Sequence, residues 1–342
     1  MQSRSGCVLR GLPLDLPGMR CPDLQELPPP ELPGHDWPFT ASGAREPGTV
    51  LPRITIVIPS FNQGRYLEAA LRSVLLQDYP DLELIVMDGG STDQTVPVIR
   101  KYERWISQWV SETDDGQSSA INQGFRRATG EIFAWIGCDD RLLPGALARV
   151  GAHFAANSDA EWLAGAGRFV YEGGRVGQMA SCLNSPDDLA RFWLWSNGCF
   201  VVQSSAFWRR RLWEAVGGVR EDLHLAMDYD LWLKFAKRAR LHCVSDVLSV
   251  ALRESGGKTF EQPVRQRIEA MRCAYEDRAE HPLGALALNV ELVQWYIPDR
   301  LRRGLGHFLK GEIEAGVLDC LRVFAAPIAA VYERGRLAMI TH

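Results

Sequence analysis

The sequence predicts an α/β protein: a Rossmann-like, mostly parallel sheet flanked by helices, followed by a helical C-terminal extension. Three observations carry that prediction. Continuous apolar runs rich in β-branched residues, ITIVIP at 54–59, LELIVM at 82–87 and EIFAWI at 131–136, have the texture of strands buried on both faces. Between them lie segments with apolar residues at helical spacing, and such alternation is what connects neighbouring parallel strands. Finally, 10 of the 19 prolines fall within residues 1–52, so the regular pattern begins only after them.

The elements follow in order. Proline removes amide donors and disfavours helix in its neighbour, so residues 1–52, with Pro28-Pro29-Pro30, read as an irregular arm. A disordered arm and one laid over the first domain both fit. After the strand at 54–59 a helix is expected over 65–77, where Leu67, Leu71, Val74 and Leu75 share a face. A strand at 82–87, a helix at 95–102, a third strand within WISQWVS (105–111), a helix at 118–128 and the strand at 131–136 complete the first half. The pattern then loosens into strand-like pieces, EWLAG (161–165) and CFVV (199–202), an amphipathic helix near 228–238 and a strand around 240–248. Beyond 260 the chain reads as helical, broken at Pro282, Pro298 and Pro327. Three segments result: an arm (1–52), a domain (53–260) and an extension (261–342).

Composition removes several classes of function. With 46% apolar and 23% charged residues, the 342-residue chain is neither disordered nor collagen-like. A balance of 38 Lys+Arg against 42 Asp+Glu leaves no electrostatic footprint for nucleic acid, so an anionic ligand needs local compensation by a cation. The eight cysteines form no CxxC pair and read as reduced thiols of a cytosolic protein. No window holds the ~20 apolar residues of a membrane span, and the N-terminus lacks a signal-peptide core. RESGGKT (253–259) ends like a phosphate-binding loop, but Leu252 stands where its first glycine must be.

The chemistry rests on where carboxylates fall. In open α/β sheets, ligands bind beyond the carboxyl ends of the strands. Asp88 follows LELIVM and opens DGGSTDQT; Asp139 and Asp140 follow IFAWIGC. A lone aspartate after a strand is commonly a turn former or cap. Two adjacent ones repel unless a cation lies between them, and all-oxygen ligation suits Mg²⁺ or Mn²⁺ shared with ligand phosphates. In HLAMDYDLWLKFAKR (224–238), Asp228 shares a helix face with Leu231, Trp232 and Phe235, so it points inward. Asp230 shares its face with Leu233, Lys234 and Lys237 and is expected to be solvated, in an i,i+4 pair with Lys234. A metal would neutralise a diphosphate leaving group while one inward carboxylate deprotonates an attacking hydroxyl.

These residues carry a family resemblance. ITIVIPSFNQGRYLEAALRSVLLQDYPDLELIVMDGGSTDQT, then SETDDGQSSAINQGFRRATGEIFAWIGCDDRLLPGAL, then FVVQSSAFWRR, EAVGGVREDLHLAMDYDLWLKFA and RESGGKT resemble, in order, the motifs of the family 2 nucleotide-sugar glycosyltransferases. The resemblance covers roughly 53–260 and implies a GT-A fold and inverting transfer from a nucleotide-diphosphate sugar to a hydroxyl, in polysaccharide or glycoconjugate synthesis. It assigns Pro59, Ser60, Asn62 and Asp88 to the nucleotide pocket. Asp139 falls near donor sugar and ribose, Asp140 on Mg²⁺ or Mn²⁺ with Asp139 in support, and Asp228 in the role of catalytic base. Arg253 and Lys258 fall on the donor diphosphate, and Gln203 and Trp195 on the acceptor side. Trp208 and Trp213, like most tryptophans here, are expected in the core.

Two departures stand out. Many members carry a second acid where this chain has Gly89, a contact that Asp114 or Asp115 would have to supply; and Met227 precedes the base where an acid is common. The implied partners are a nucleotide-sugar, UDP-sugars ahead of GDP- and dTDP-sugars, and a glycan or lipid-linked acceptor. Arg300, Arg302 and Arg303 before an apolar stretch would suit peripheral contact with the inner membrane face. The alternative is a catalytically silent nucleotide-sugar-binding or scaffold protein on the same fold.

Overall fold

The run Ile54–Ser60 forms β1, every residue of it buried. It lies between β2 (Leu82–Asp88) and β4 (Ile132–Trp135), parallel to both, which is why its sequence is apolar throughout rather than alternating. The structure, a computed structural model, describes residues 21–30, 37–39, 50–171, 173–181, 189, 201–253 and 262–278. A third strand, β3 (Gln108–Ser111), extends the parallel set beyond β2. It begins later than the sequence pattern suggested because Glu103–Trp105 closes a single 3₁₀ turn instead.

Helices α1 (Gly64–Leu75) and α2 (Thr95–Tyr102) cover one face of this half, and α3 (Gln117–Arg127) covers the other. Ile54, Ile56 and Ile58 pack with Leu67, Leu71 and Val74; Val57 faces Ile121 and Phe125. Beyond β4 the sheet becomes mixed. Its order is β3-β2-β1-β4-β8-β6-β9-β5, built with β5 (Asp140–Leu142), β6 (Trp162–Tyr171), β8 (Ala206–Arg209) and β9 (Leu241–Arg253); β7 (Val176–Met179) forms a hairpin with β6. Here CFVV proved not to be a strand: Val201 and Val202 are buried but irregular, and the strand is the following Ala206–Arg209. Cys199 and Phe200 lie outside the described residues.

Four further helices complete the described chain: α4 (Ala146–Ala156), α5 (Arg210–Val216), α6 (Met227–Ala236) and α7 (Pro263–Arg278). Trp208 and Trp213 are core residues, as expected, in an aromatic cluster that seats α6. Trp232 of α6 stacks on Trp135 (6.1 Å, 5°) and on Trp162 (5.7 Å, 18°), and Phe235 meets Trp208 at a tilt at 5.7 Å. Truncating one such buried indole costs about 3–5 kcal/mol, so the helix is firmly located.

The described parts of the N-terminal arm lie over the first domain. Cys21 and Leu27 are buried in the α1 core. Arg72, 2% exposed, donates to the Pro28 carbonyl (3.0 Å), the Pro38 carbonyl (3.3 Å) and Tyr102 Oη (3.1 Å). Trp37 Nε1 donates to the Leu142 carbonyl at 2.7 Å. Helix α7 agrees with the helical reading of the extension; Pro282, Pro298, Pro327 and the Arg300–Arg303 cluster lie outside the described residues. Among the described residues, no helix is long and apolar enough to cross a membrane.

Candidate active site

Parallel pairing aligns the strand ends at one rim, with Ser60 opposite Asp88 and Asp88 opposite Ser111. Asp88, 2% exposed, accepts from Ser111 Oγ (2.6 Å), from the Ser91 amide (3.0 Å) and from Ser91 Oγ. Asn62, at φ +53°, donates its N–H to Ser91 Oγ (2.7 Å) and accepts from the Thr92 amide (2.9 Å). These bonds tie the loops after β1 and β2 into one wall. Asp93 reinforces it by accepting from the Gly64 and Thr95 amides, both at 2.9 Å. Partial burial would raise the Asp93 carboxyl, but the Thr95 hydroxyl and those amides outweigh it and hold it below the usual carboxylate range. The sequence reading did not single out Asp93.

Gly89 donates to the Ser60 carbonyl (2.9 Å). A Cβ at Gly89 would lie 3.1–3.2 Å from the carboxylate of Asp114, so Asp114 occupies the space beside the missing second acid. Asp114 is held there by the Gly116 amide (2.8 Å), whereas Asp115 is exposed. Phe61 stands in the same wall with 61% of its surface exposed, one of three large exposed hydrophobic residues among those described. Its signal in the sequence was simply an aromatic at the tip of a strand-end loop.

The acid pair follows β4. Cys138 is buried and points inward, its thiol donating to the Pro59 carbonyl at 3.4 Å and lying against Ser60. Burial pushes that thiol up to about 12, so it stays neutral. Both carboxylates of the pair lie over Gly137: a Cβ there would lie 2.6 Å from Asp139 Oδ1 and 3.2 Å from Asp140 Oδ2. Burial and the neighbouring Asp139 push Asp140 up to about 8, against the pull of the Gly137 amide and of Arg253. Such a pair is what a divalent cation relieves, so the residues fit Mg²⁺ or Mn²⁺. No group of three or more His, Cys, Asp or Glu suited to a metal exists among the described residues, which leaves the remaining ligands to water and substrate phosphate.

Asp228 is the second residue of α6 and accepts from the Tyr229 amide at 2.8 Å. The N-cap position is Ala226, without a side-chain cap, so Asp228 is not the cap residue. Its face is inward as expected, with Leu231, Trp232 and Phe235 all at most 2% exposed. Burial raises its pKa, opposed by the Tyr229 amide, its own amide and Arg253. The expectation that Asp230 is solvated was wrong. It is 6% exposed, paired with Lys234 at 2.7 Å and near Arg220 at 3.7 Å, because Arg220 and the α7 residue Glu276 close over that side.

Arg253, the last residue of β9, has its guanidinium 4.8 Å from the Phe169 ring centroid and attracts both Asp140 and Asp228. One cation therefore links the acid pair to the inward carboxylate. Gln203 Nε2 is spent on the Trp135 carbonyl at 2.7 Å, buttressing the end of β4. Trp195 and Lys258 lie outside the described residues. A residue that local pattern could not reveal is Glu269 of α7. Its Oε2 accepts from the amides of His224 (3.0 Å) and Leu225 (2.7 Å), just ahead of α6.

Aligned parallel strand ends, an aspartate pair after β4 and an inward aspartate at the start of α6, with Arg253 attracting both Asp140 and Asp228, define the class: a GT-A, nucleotide-sugar type of domain. Residues 55–217, a little under half of the chain, match the family described as "Glycosyl transferase family 2". Among curated relatives, an uncharacterized glycosyltransferase of Rickettsia typhi is 28% identical over 58% of this chain and 64% of its own length. A GalNAc(5)-diNAcBac-PP-undecaprenol beta-1,3-glucosyltransferase of Campylobacter jejuni is 34% identical over 28% of this chain and 33% of its own length. The matched region spans only 31–64% of the first four curated relatives. Two solved structures share the fold: S. aureus TarS 1–349 in complex with UDP-GlcNAc (TM-score 0.55, 20% identity, 71% of each chain) and mannosyltransferase PcManGT of Pyrobaculum calidifontis with GDP-Man and Mn²⁺ (TM-score 0.54, 19% identity, 83% of this chain and 88% of that one).

Proposed function

We propose that the protein is an inverting, divalent-metal-dependent glycosyltransferase that moves a sugar from a nucleoside-diphosphate donor to a hydroxyl acceptor in glycoconjugate synthesis. The observation that carries this is the convergence of Asp140, crowded by Asp139, and of Asp228 on Arg253. In this reading Phe61 stacks on the base, with Asn62, Asp88 and Asp114 shaping the nucleoside pocket. Asp140, supported by Asp139, would hold the ion, which when bound would offset charge building on the departing diphosphate. Arg253 faces the same phosphates, together with Lys258.

Asp228 takes the proton of the acceptor hydroxyl as its oxygen bonds to the anomeric carbon. The bond from that carbon to the phosphate oxygen breaks on the opposite face, and the nucleoside diphosphate leaves with its electron pair. Burial that raises Asp228 makes its carboxylate a stronger base. UDP-sugars are the favoured donors, with GDP- and dTDP-sugars behind them. A glycan or lipid-linked acceptor, reached from the cytoplasmic side of a membrane, is supported by the undecaprenol-linked substrate in the name of the C. jejuni relative.

The test is transfer from a panel of UDP-, GDP- and dTDP-sugars with and without Mn²⁺. Asp228→Asn is expected to lower kcat by about 10²–10⁴-fold while donor binding persists. Full activity of that variant would remove Asp228 from the mechanism.

A further inference from the structure

The pairing of β5, β9, β6 and β7 sorts their side chains into two faces. Directly opposed residues project to one side, and successive residues along a strand alternate. One side carries Asp140, Ala251 and Phe169, packed beneath Val202 next to the acid site. The other carries a cross-strand row Arg141–Val250–Arg168–Gln178 and, beside it, the row Leu252–Val170–Val176.

This second face is chemically incomplete. Arg141 is partly buried, yet among the described residues it has no hydrogen bond, ion pair or ring contact. A guanidinium drawn out of water without a carboxylate, carbonyl or ring is an arrangement folded chains avoid. Arg168 likewise has no partner among the described residues; exposed, it would be an ordinary surface arginine were it not in register with Arg141. Neither row contains an acid. The neighbouring row is aliphatic, with Val170 and Leu252 half-buried and Val176 61% exposed, another of the three large exposed hydrophobic residues. The two arginine backbones are two strand spacings apart, about 10 Å, a separation that spans adjacent head groups.

Unpaired cations set in an aliphatic strip complement a surface that offers phosphate and hydrocarbon side by side. We infer that the Arg141–Arg168 face is a contact surface for an anionic phospholipid membrane, with head-group phosphates on the two guanidiniums and acyl chains against Val170, Leu252 and Val176. The face ends at Leu252, one residue before Arg253, so the membrane lies at the rim of the donor cleft. The inference needs no donor, metal or turnover, and so stands or falls apart from the transferase reading.

The experiment is co-sedimentation of the full chain with vesicles of phosphatidylcholine alone or mixed equally with phosphatidylglycerol. Binding is expected only to the mixed vesicles. It should fall about fivefold for Arg141→Ala and again for Arg168→Ala, fall with Val176→Asp, and be retained by Arg141→Lys. Because Arg141 has no partner to lose, Arg141→Ala should melt no lower than the wild type, which separates lost contact from misfolding. Equal binding to both vesicle types, or unchanged binding by the double arginine variant, would overturn the inference. So would stabilisation of the wild type by glycerol 3-phosphate with no vesicle binding, which would assign the arginines to a soluble phosphate.

Discussion

Replacing Glu269 by alanine separates placement of the base from its chemistry. Its carboxylate, 12% exposed, receives the His224 and Leu225 amides at 3.0 and 2.7 Å. These are the two residues before Ala226, the N-cap that offers α6 no side-chain acceptor. The carboxylate of one helix thus does for another what its own cap residue cannot. Removing it leaves two amides short of a partner, at about 1–3 kcal/mol each if they stay dry. Water entering from the exposed His224 side reduces the sum to about 2–4 kcal/mol. Part of that loss appears as displacement of the turn carrying Asp228, so kcat should fall about 10–100-fold. Donor binding is made on the far wall and should not change. Glu269→Gln keeps an acceptor of the same shape without its charge and should lose about 1 kcal/mol. Steady-state kinetics, donor titration calorimetry and thermal unfolding on both variants give the three readings. Should Glu269→Ala melt early yet keep kcat within twofold, α7 supports the fold only and the positioning argument fails.

Other consequences follow from the same geometry. Asp140 is raised to about 8 from an ordinary ~3.9, so between those values the folded, ion-free chain holds a proton that the unfolded chain has lost. Its stability without metal is therefore greatest at the acid end and declines as pH rises towards 8. Mn²⁺ bound there as proposed would displace that proton, so its affinity should rise by up to about tenfold per pH unit and level off above about pH 8. A flat calorimetric profile would contradict this. Phe61→Ala should raise donor KM by about 5–100-fold, the worth of one base–aromatic stack, at nearly constant kcat; an unchanged KM would place the base elsewhere. Arg72→Ala removes bonds to Pro28, Pro38 and Tyr102 and should destabilise the chain by about 3 kcal/mol. Limited proteolysis should then cut first within the N-terminal arm, and protection equal to wild type would show that the arm is held by other contacts.

What was legible in the sequence was what depends on near neighbours. β1, β2 and β4 announced themselves because a strand buried on both faces has no polar alternation to confuse it. The inward face of α6 followed from spacing, since Asp228, Leu231, Trp232 and Phe235 are fixed relative to one another by helix geometry alone. α4 was equally legible, with Leu147, Val150 and Phe154 on one buried side, and was overlooked. Asp230 was misread for a different reason. Nothing within a few residues shows that Arg220 and Glu276 cover its face, a contact that spans 56 residues between those two side chains. CFVV misled because burial and strand are separate properties: Val201 and Val202 are 1–2% exposed, yet they lead into a 3₁₀ turn.

The same division runs through the site. The motifs supply the groups proposed to react, but their elements are too short to hold position alone. β5 is three residues long, and its Leu142 is pinned on both backbone groups, the amide to Ser73 Oγ (3.1 Å) and the carbonyl to the Trp37 indole (2.7 Å). α6 depends on Glu269 in the same manner. A site that works only within about 0.5 Å of its productive geometry therefore draws on Trp37 and Glu269, which lie outside the motif-bearing stretch 53–260. The arm and α7 thus act as the two clamps of the acid pair and of the proposed base. The boundary between domain and appendage, drawn at 53 and 260 from the motifs, divides the chemistry from part of what aims it.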